Sequence, residues 1–252
     1  MMKKHSRFSA SGFERIVKCP GSVSLSEGLP DKESAASREG TLAHEVLEGI
    51  LKDPSIVLLK RNKGEITDEM VEYGRQAANH ILKLRGVLPN SDLMIESKVS
   101  LSFIHPEAFG TLDAAIVDYF GTLHILDYKF GKSFVSPYEN WQFLFYALGV
   151  AHQHQWNFSK VRMWTLQPRV TGFDGNYTFW EISIDELKSY IPKFERAIRR
   201  AETLTTTYVE GDHCFFCKAR NVCPLKAETK LLDAKKAFDK KLSTMEIEEN
   251  FY

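Results

Sequence analysis

Two neighbouring strand-like segments near the middle of the chain constrain the fold more than any other feature. Residues Gly110–Tyr119 and Leu123–Tyr128 have the composition of strands, and the Phe120-Gly121 pair between them is typical of a tight turn. A connection this short makes the two strands antiparallel neighbours. The sequence therefore predicts a β-hairpin, and the fold must contain a sheet that includes it.

Segments with helical and extended patterns alternate on both sides of this hairpin. Helical spacing of apolar residues predicts the helices Ser9–Val17, Ser34–Leu51, Thr67–Arg85 and Trp141–His152. Strand patterns predict the segments Leu93–Phe103, Val161–Leu166 and Tyr177–Ile184. Asp185 is predicted to be the N-cap of a last helix that runs towards Leu204. This order predicts an α/β fold with a central mixed sheet flanked by helices.

Length and composition fit a folded domain with appendages. The chain has 252 residues, of which 43% are hydrophobic and 26% are charged, as in an ordinary globular domain. We expect a single domain with its core at 34–204, preceded by the segment 1–33 and followed by a cysteine-bearing segment with a charged tail at 205–252. No apolar run approaches the roughly 18 to 20 residues that cross a bilayer, and the polar start lacks the apolar stretch of a signal peptide. We therefore expect no membrane partner and a reducing cytoplasm.

Basic residues are clustered although the net charge is zero. Lys plus Arg and Asp plus Glu each number 33, so no global field attracts nucleic acid. The clusters are Lys3, Lys4, Arg7, Arg15 and Lys18; Arg196, Arg199 and Arg200; and Lys218, Arg220, Lys235, Lys236, Lys240 and Lys241. Such clusters can contact phosphates, but most charge runs are solvated faces.

The hairpin carries two acids and a lysine. Asp127 and Lys129 project to the same face because side chains alternate along a strand, and the turn brings Asp113 close to that face. Two carboxylates make a natural Mg²⁺ or Mn²⁺ site that water and a substrate phosphate complete. Such a metal polarises a phosphodiester and lowers the pKa of a bound water, while Lys129 orients the nucleophile or stabilises the transition state.

The alternative interpretation of these residues is a surface ion pair at strand ends, since D-x-K is a short pattern. The neighbourhood of Asp127 favours a function, because a carboxylate that follows the apolar run Leu123–Leu126 would be buried.

Other polar residues can join this group. Gln142 and Tyr146 are four residues apart in a predicted helix, hence on one face, although a helix edge packed into the core gives the same pattern. His44 lies in an amphipathic helix and is either a structural residue or a metal ligand. Glu96, on the strand before Asp113, is a further acid that we rank below the others.

Together these motifs resemble the PD-(D/E)XK nucleases of the RecB and Cas4 type. The resemblance extends from Cys19 to Cys223, and its motifs occur in the expected order. They are the helical histidine motif at His44, a G-T-L-D segment ending at Asp113, the D-x-K motif at Asp127 and Lys129, and the Q-x-x-x-Y motif at Gln142 and Tyr146. The segments around Asp113, Lys129 and Gln142 look more closely like a phage-associated family of unknown function. Leu112 stands where the proline that names the motif would be.

The resemblance implies a restriction-endonuclease-like core and metal-dependent phosphodiester cleavage. It implies that His44, Asp113, Asp127 and the carbonyl of Tyr128 hold Mg²⁺ or Mn²⁺. The catalytic residues would be Asp113, Asp127, Lys129, Gln142 and Tyr146.

The chain has four cysteines, Cys19, Cys214, Cys217 and Cys223. A close C-x2-C pair in a cytoplasmic protein suggests metal or cluster binding, and four thiolates suit either tetrahedral Zn²⁺ or a [4Fe–4S] cluster. One cysteine before the core and three after it is the arrangement of the iron–sulfur members of the resembling group, so we favour the cluster over zinc or free thiols. Phe215 and Phe216 would pack against it or, alternatively, stack on bases of single-stranded DNA.

The resemblance favours an exonuclease that acts on DNA ends in phage-type recombination, replication or repair, in the host cytoplasm. A single-strand annealing protein or another recombination protein would be its partner. The alternatives are a catalytically idle DNA-binding subunit and, from the cysteines alone, a zinc-stapled structural protein.

Overall fold

Five strands form one mixed sheet in the part of the chain that the structure describes. In this computed structural model those residues are 6–30, 34–52, 64, 66–170, 176–230, 232, 235 and 236. The strands, which lie in the order of the chain, are β1 (Ser91–Ser100), β2 (Phe109–Asp118), β3 (Thr122–Tyr128), β4 (Lys160–Leu166) and β5 (Tyr177–Ser183). The β3–β4 pair is parallel and the other pairs are antiparallel.

Helices precede, interrupt and follow the strands. They are α1 (Phe13–Lys18), α2 (Ser22–Ser26), α3 (Ala35–Lys52), α4 (Asp68–Gly86), α5 (Trp141–Gln153), α6 (Ile184–Lys188) and α7 (Ile191–Thr203). Helix α5 connects the parallel strands β3 and β4, as parallel pairing requires a crossover. The predicted α/β fold with a central mixed sheet flanked by helices is therefore confirmed. No helix of the described residues is both long and apolar enough to span a bilayer.

The chain separates into two compact units. The sheet unit consists of Met1–Glu14 and Glu33–Arg196, and the cysteine unit consists of Arg15–Lys32 and Ala197–Tyr252. Of the basic residues noted in the sequence, Lys3, Lys4, Lys240 and Lys241 lie outside the described residues.

Both faces of the central strand are covered. Residues of α3 and α4 pack with one face of the sheet in a cluster that includes Val46, Ile81, Ile116 and Leu126. Helix α5 is buried along Phe143–Ala151, and it approaches the sheet at β1, β3 and β4. Strand β3 is therefore buried from Leu123 onwards on both faces, which explains its continuous apolar run.

Helix α5 comes unusually close to β1 at Gly149. A Cβ atom added there would lie 2.1 Å from Val99 Cγ1 and 3.2 Å from the Ser100 carbonyl oxygen. Only a residue without a side chain permits this approach, which brings the C-terminal half of α5 against the end of β1.

The prediction that Asp185 is an N-cap is wrong. The Ser183 hydroxyl accepts the N–H of Glu186 at 3.1 Å and caps α6, so Asp185 lies in the first turn. The predicted single helix is also divided into α6 and α7. Pro192 explains the break, since proline is tolerated in the first turn of a helix but removes a hydrogen bond and clashes in its interior.

The close approach at Gly149 predicts opposite effects of the same substitution at two helical glycines. Gly149→Ala should lower the free energy of unfolding by about 1–3 kcal/mol, because the core has no room for the methyl group. Gly40→Ala is the matched control: nothing lies within 4 Å of its added Cβ in α3, and a helical Gly→Ala change stabilises by about 0.5–1 kcal/mol. Urea unfolding of both variants measures the difference. Equal stability of the two would contradict the packing described for α5.

Candidate metal centre

Three carboxylates occupy one row across β1, β2 and β3. The pairs Ile95–Ala114 and Ser97–Leu112 flank Glu96 and Asp113, which therefore face each other across the strands. The β2–β3 ladder ends at the pair Ala114–Leu126, and its register places Asp113 opposite Asp127. Residues directly opposite each other in a sheet share a face, and like charges there repel.

Glu96 has a strained backbone. Its φ of 44° lies in the left-handed region, although the residue is neither glycine nor asparagine. Such conformations cost on the order of 1–3 kcal/mol and are concentrated at functional sites. The strain occurs in β1 at the position facing Asp113.

His44 reaches the acidic row from α3. Its Nδ1 lies 3.1 Å from Asp113 Oδ1, and its ring contacts that of Tyr128. Burial alone would lower the pKa of His44, but the Asp113 and Asp127 carboxylates together outweigh burial and raise it. Conversely, burial would raise the pKa of Asp113, and the charge and hydrogen bond of His44 hold it below its ordinary value.

One ligand atom from each of His44, Glu96 and Asp113 lies within 4.8 Å of the other two. One ring nitrogen and two carboxylate oxygens are ordinary protein ligands of divalent metal ions. These residues form a group that can hold a divalent metal ion.

Asp127 and Lys129 form an ion pair beside this group. Lys129 Nζ lies 2.7 Å from Asp127 Oδ2 and donates a hydrogen bond of 3.1 Å to Gln142 Oε1. The Asp127 side chain is only 2% exposed, against 25% for Lys129. Burial raises the pKa of Asp127 despite the lysine. Burial would lower the pKa of Lys129, but the Asp127 and Asp113 carboxylates together outweigh it and raise that pKa. The lysine therefore carries its positive charge at neutral pH, and it is the more exposed member of the pair.

Gln142 and Tyr146 share a face of α5. The Asn140 side chain caps the helix by accepting the Gln142 N–H at 3.0 Å, which fixes where the helix begins. Gln142 Nε2 donates to the Tyr146 hydroxyl at 3.4 Å, and that hydroxyl donates to the Thr111 carbonyl oxygen at 2.7 Å. Tyr146 therefore attaches α5 to β2, two residues before Asp113.

The glycine of the G-T-L-D segment has a packing role. A Cβ at Gly110 would lie 3.0 Å from Ala10 Cβ and 3.2 Å from the Tyr146 ring. Its hydrogen side chain allows Tyr146 to lie against the backbone of β2.

Tyr128 contributes its backbone. Its N–H donates to Asp113 Oδ2 at 2.7 Å, while its ring is fully buried in the cluster beneath α3 and α4. The Asp113 carboxylate is thus held by His44 through one oxygen and by Tyr128 through the other. The role of the Tyr128 carbonyl as a metal ligand stays a prediction.

The four cysteines line one cavity inside the cysteine unit. The Val209 N–H donates to Cys19 Sγ at 3.4 Å. Burial raises the pKa of Cys19, and the nearby sulfurs of Cys217 and Cys214 raise it further. Four thiols in one cavity have the donor chemistry for a metal or a cluster, which would also relieve the repulsion between their thiolates.

The expectation that Phe215 and Phe216 pack beside these cysteines is wrong. Neither residue lines the cavity, and their side chains are 67% and 83% exposed. The C-x2-C spacing directs the two cysteines inward in a short turn, so the intervening residues remain at the surface.

Residues 5–251 match the model of a family described as a protein of unknown function, DUF2800. The chain belongs to this family. Among solved structures, the chain is similar to a protein from Eubacterium rectale provisionally described as an exonuclease, with 12% identity, a TM-score of 0.48, and coverage of 86% of this chain and 87% of that one. It is also similar to the protein SSO0001, with 14% identity, a TM-score of 0.42, and coverage of 90% and 89%.

The protonation of Glu96 predicts a pH-dependent stability for the metal-free DUF2800 protein. Burial, and then the Asp113 carboxylate, raise the pKa of Glu96 from 4.5 to about 7. The folded state thus binds the proton more tightly than the unfolded chain, and stability falls as the pH rises between these values. Glu96→Gln removes this loss, so the Tm of the variant should exceed that of the parent at about pH 8 by more than at about pH 5.

Thermal unfolding in EDTA measures this difference. Glu72→Gln, in an exposed residue of α4 that pairs with Arg75, is the control and should show no such pH dependence. A Tm difference between Glu96→Gln and the parent that is the same at both pH values would contradict the shifted pKa.

Proposed function

We propose that this protein is a divalent-metal-dependent deoxyribonuclease of the RecB and Cas4 type. The observation that carries the proposal is the placement of the Asp127–Lys129 pair beside the possible ligands His44, Glu96 and Asp113. A structural ion pair alone gives no reason for a strained glutamate opposite an aspartate. A metal ion does, because it offsets the repulsion of the two carboxylates.

His44, Glu96 and Asp113 would hold Mg²⁺ or Mn²⁺, with Asp127 and the Tyr128 carbonyl completing the set. The bound ion would polarise the scissile phosphodiester and lower the pKa of an attacking water. Glu96 would lose its proton when the ion binds, since ligands must be deprotonated.

Lys129 would act on the reacting phosphate. The ion pair with Asp127 keeps Lys129 protonated, and the hydrogen bond to Gln142 Oε1 orients its ammonium group. The ammonium is therefore held in place before the substrate binds. A preorganised cation of this kind orients the nucleophile and stabilises the negative charge that develops on the phosphoryl oxygens. Gln142 and Tyr146 are positioning residues in this scheme, and Asp127 also holds the lysine.

The motif resemblance supports DNA as the substrate and DNA ends as the point of attack, in phage-type recombination, replication or repair. A single-strand annealing protein or another recombination protein would act as partner. End-labelled single- and double-stranded DNA distinguish cleavage from the ends from internal cleavage.

Substitution of Lys129 or of Asp113 should strongly slow DNA cleavage. With Mn²⁺ and linear DNA, Lys129→Ala should lower kcat by roughly 100- to 1000-fold, and Asp113→Asn by at least as much. Lys160→Ala is the matched control, because this strand lysine lies beside Thr122, at the opposite end of the β3–β4 pair from Tyr128. If the Lys129 and Asp113 variants digest DNA as fast as the parent, the assigned site is wrong. DNA binding without hydrolysis under any divalent metal would instead favour the idle DNA-binding subunit.

We also propose that Cys19, Cys214, Cys217 and Cys223 hold a [4Fe–4S] cluster. Their common cavity and the N–H of Val209 directed at Cys19 Sγ support this, since hydrogen bonds to sulfur stabilise such clusters. One cysteine before the core and three after it is also the order in the iron–sulfur nucleases that the sequence resembles. The cluster would join the two segments of the cysteine unit.

The anaerobically purified protein should be brown, absorb at about 400 nm and contain about four iron atoms per chain. Cys217→Ser should lose both iron and colour. His213→Ala is the control, because His213 lines the same cavity without a thiol and should keep them. A colourless protein with stoichiometric zinc would contradict the cluster.

A further inference from the structure

An aromatic groove lies along β5, which is one of the two edge strands of the described sheet. Its volume is about 410 Å³, and its walls include Phe134 and Tyr138 from the loop before α5 and Phe179 and Trp180 from β5. The rings of Tyr138 and Trp180 are 5.2 Å apart. The groove thus belongs entirely to the sheet unit.

Three large aromatic side chains of the groove are exposed to solvent rather than buried. Phe134 is 51% exposed, Tyr138 63% and Phe179 49%. Clustered exposed apolar surface of this kind usually marks a binding site.

The loop that carries Phe134 is held in a defined shape. Gln167 is 2% exposed, and its side chain binds the backbone on both sides of Phe134. Its Oε1 accepts the Val135 N–H at 2.8 Å, and its Nε2 donates to the Ser133 carbonyl oxygen at 2.9 Å. A buried amide therefore fixes the two neighbours of an exposed phenylalanine. Preorganisation of this kind lowers the entropy cost of binding.

The same loop is continuous with the proposed catalytic residues. It starts after Lys129 and ends at Asn140, which caps α5 and fixes Gln142. Phe134 is five residues from Lys129 in the sequence, so the two Cα atoms are at most about 18 Å apart. A few nucleotides of an extended strand span that distance.

We propose that this groove binds the bases of a single-stranded segment of the substrate next to the cleavage site. The inference rests on the proposed nuclease function. Single strands offer unpaired base faces for stacking on aromatic side chains, whereas a duplex hides them. Lys132 is exposed on the same loop, two residues before Phe134, where its charge can contact a phosphate. Exposed aromatic rings with a lysine on the same loop match the base faces and the phosphates of a single strand.

Binding of labelled oligonucleotides in Ca²⁺, which separates binding from cleavage, tests this proposal. Phe134→Ala and Tyr138→Ala should each weaken single-strand binding roughly tenfold, while affinity for a blunt duplex changes less. Tyr138→Phe keeps the ring and should bind like the parent. Phe120→Ala is the matched control: this phenylalanine is 73% exposed in the β2–β3 turn, at the opposite end of β3 from Lys129.

Single-strand affinity equal to that of the parent in both alanine variants would overturn the proposal, and would leave the groove to a protein partner. Their Tm values, expected to match the parent because both side chains are exposed, exclude misfolding as the cause of any loss of binding.

The binding and cleavage measurements distinguish a failure of the groove proposal from a failure of the nuclease proposal. If Lys129→Ala stops cleavage but the alanine variants bind normally, only the groove proposal fails. If the alanine variants lose binding but Lys129→Ala still cleaves, the groove proposal stands and the assigned catalytic site is wrong.

Discussion

The repulsion among the carboxylates in one row of the sheet is the constraint on which the rest of the site depends. Glu96, Asp113 and Asp127 occupy facing positions on adjacent strands, where ionised acids destabilise the fold. His44 offsets the charge of Asp113 and Lys129 that of Asp127, each as a close ion pair. Glu96 has a pKa of about 7 instead, because burial and Asp113 disfavour its charged form. The arrangement is only partly neutralised by the protein, which is the electrostatic condition of a metal site.

The segment between Lys129 and Gln142 begins and ends at the candidate site. Its middle forms one wall of the aromatic groove, and β5 forms the other. Asn140 fixes the start of α5, and Gly149 lets the helix approach β1. Gln167 holds the loop near Phe134. One short stretch of chain thus sets the direction of the lysine and the position of the exposed rings. This coupling would place the proposed cleavage and the proposed strand binding side by side.

The sequence predicted the parts of the fold and site that follow from local periodicity. Strand alternation places Asp127 and Lys129 on one face, and helical spacing joins Gln142 to Tyr146. The place of Glu96 opposite Asp113 does not follow from the sequence, because it depends on a strand register and on a φ of 44° that no local pattern encodes. Asp185 was misplaced because the helix boundary depends on Ser183 and Pro192. The exposure of Phe134 and Phe215 likewise depends on tertiary packing, which composition does not reveal.

A crystal structure of the Mn²⁺-soaked protein, with data collected at the manganese absorption edge, tests the central claim most directly. We predict an anomalous peak within coordination distance of a ring nitrogen of His44 and of carboxylate oxygens of Glu96 and Asp113, with Lys129 close by. Absence of a peak from this group at saturating Mn²⁺, or a peak bound only elsewhere on the protein, would contradict it.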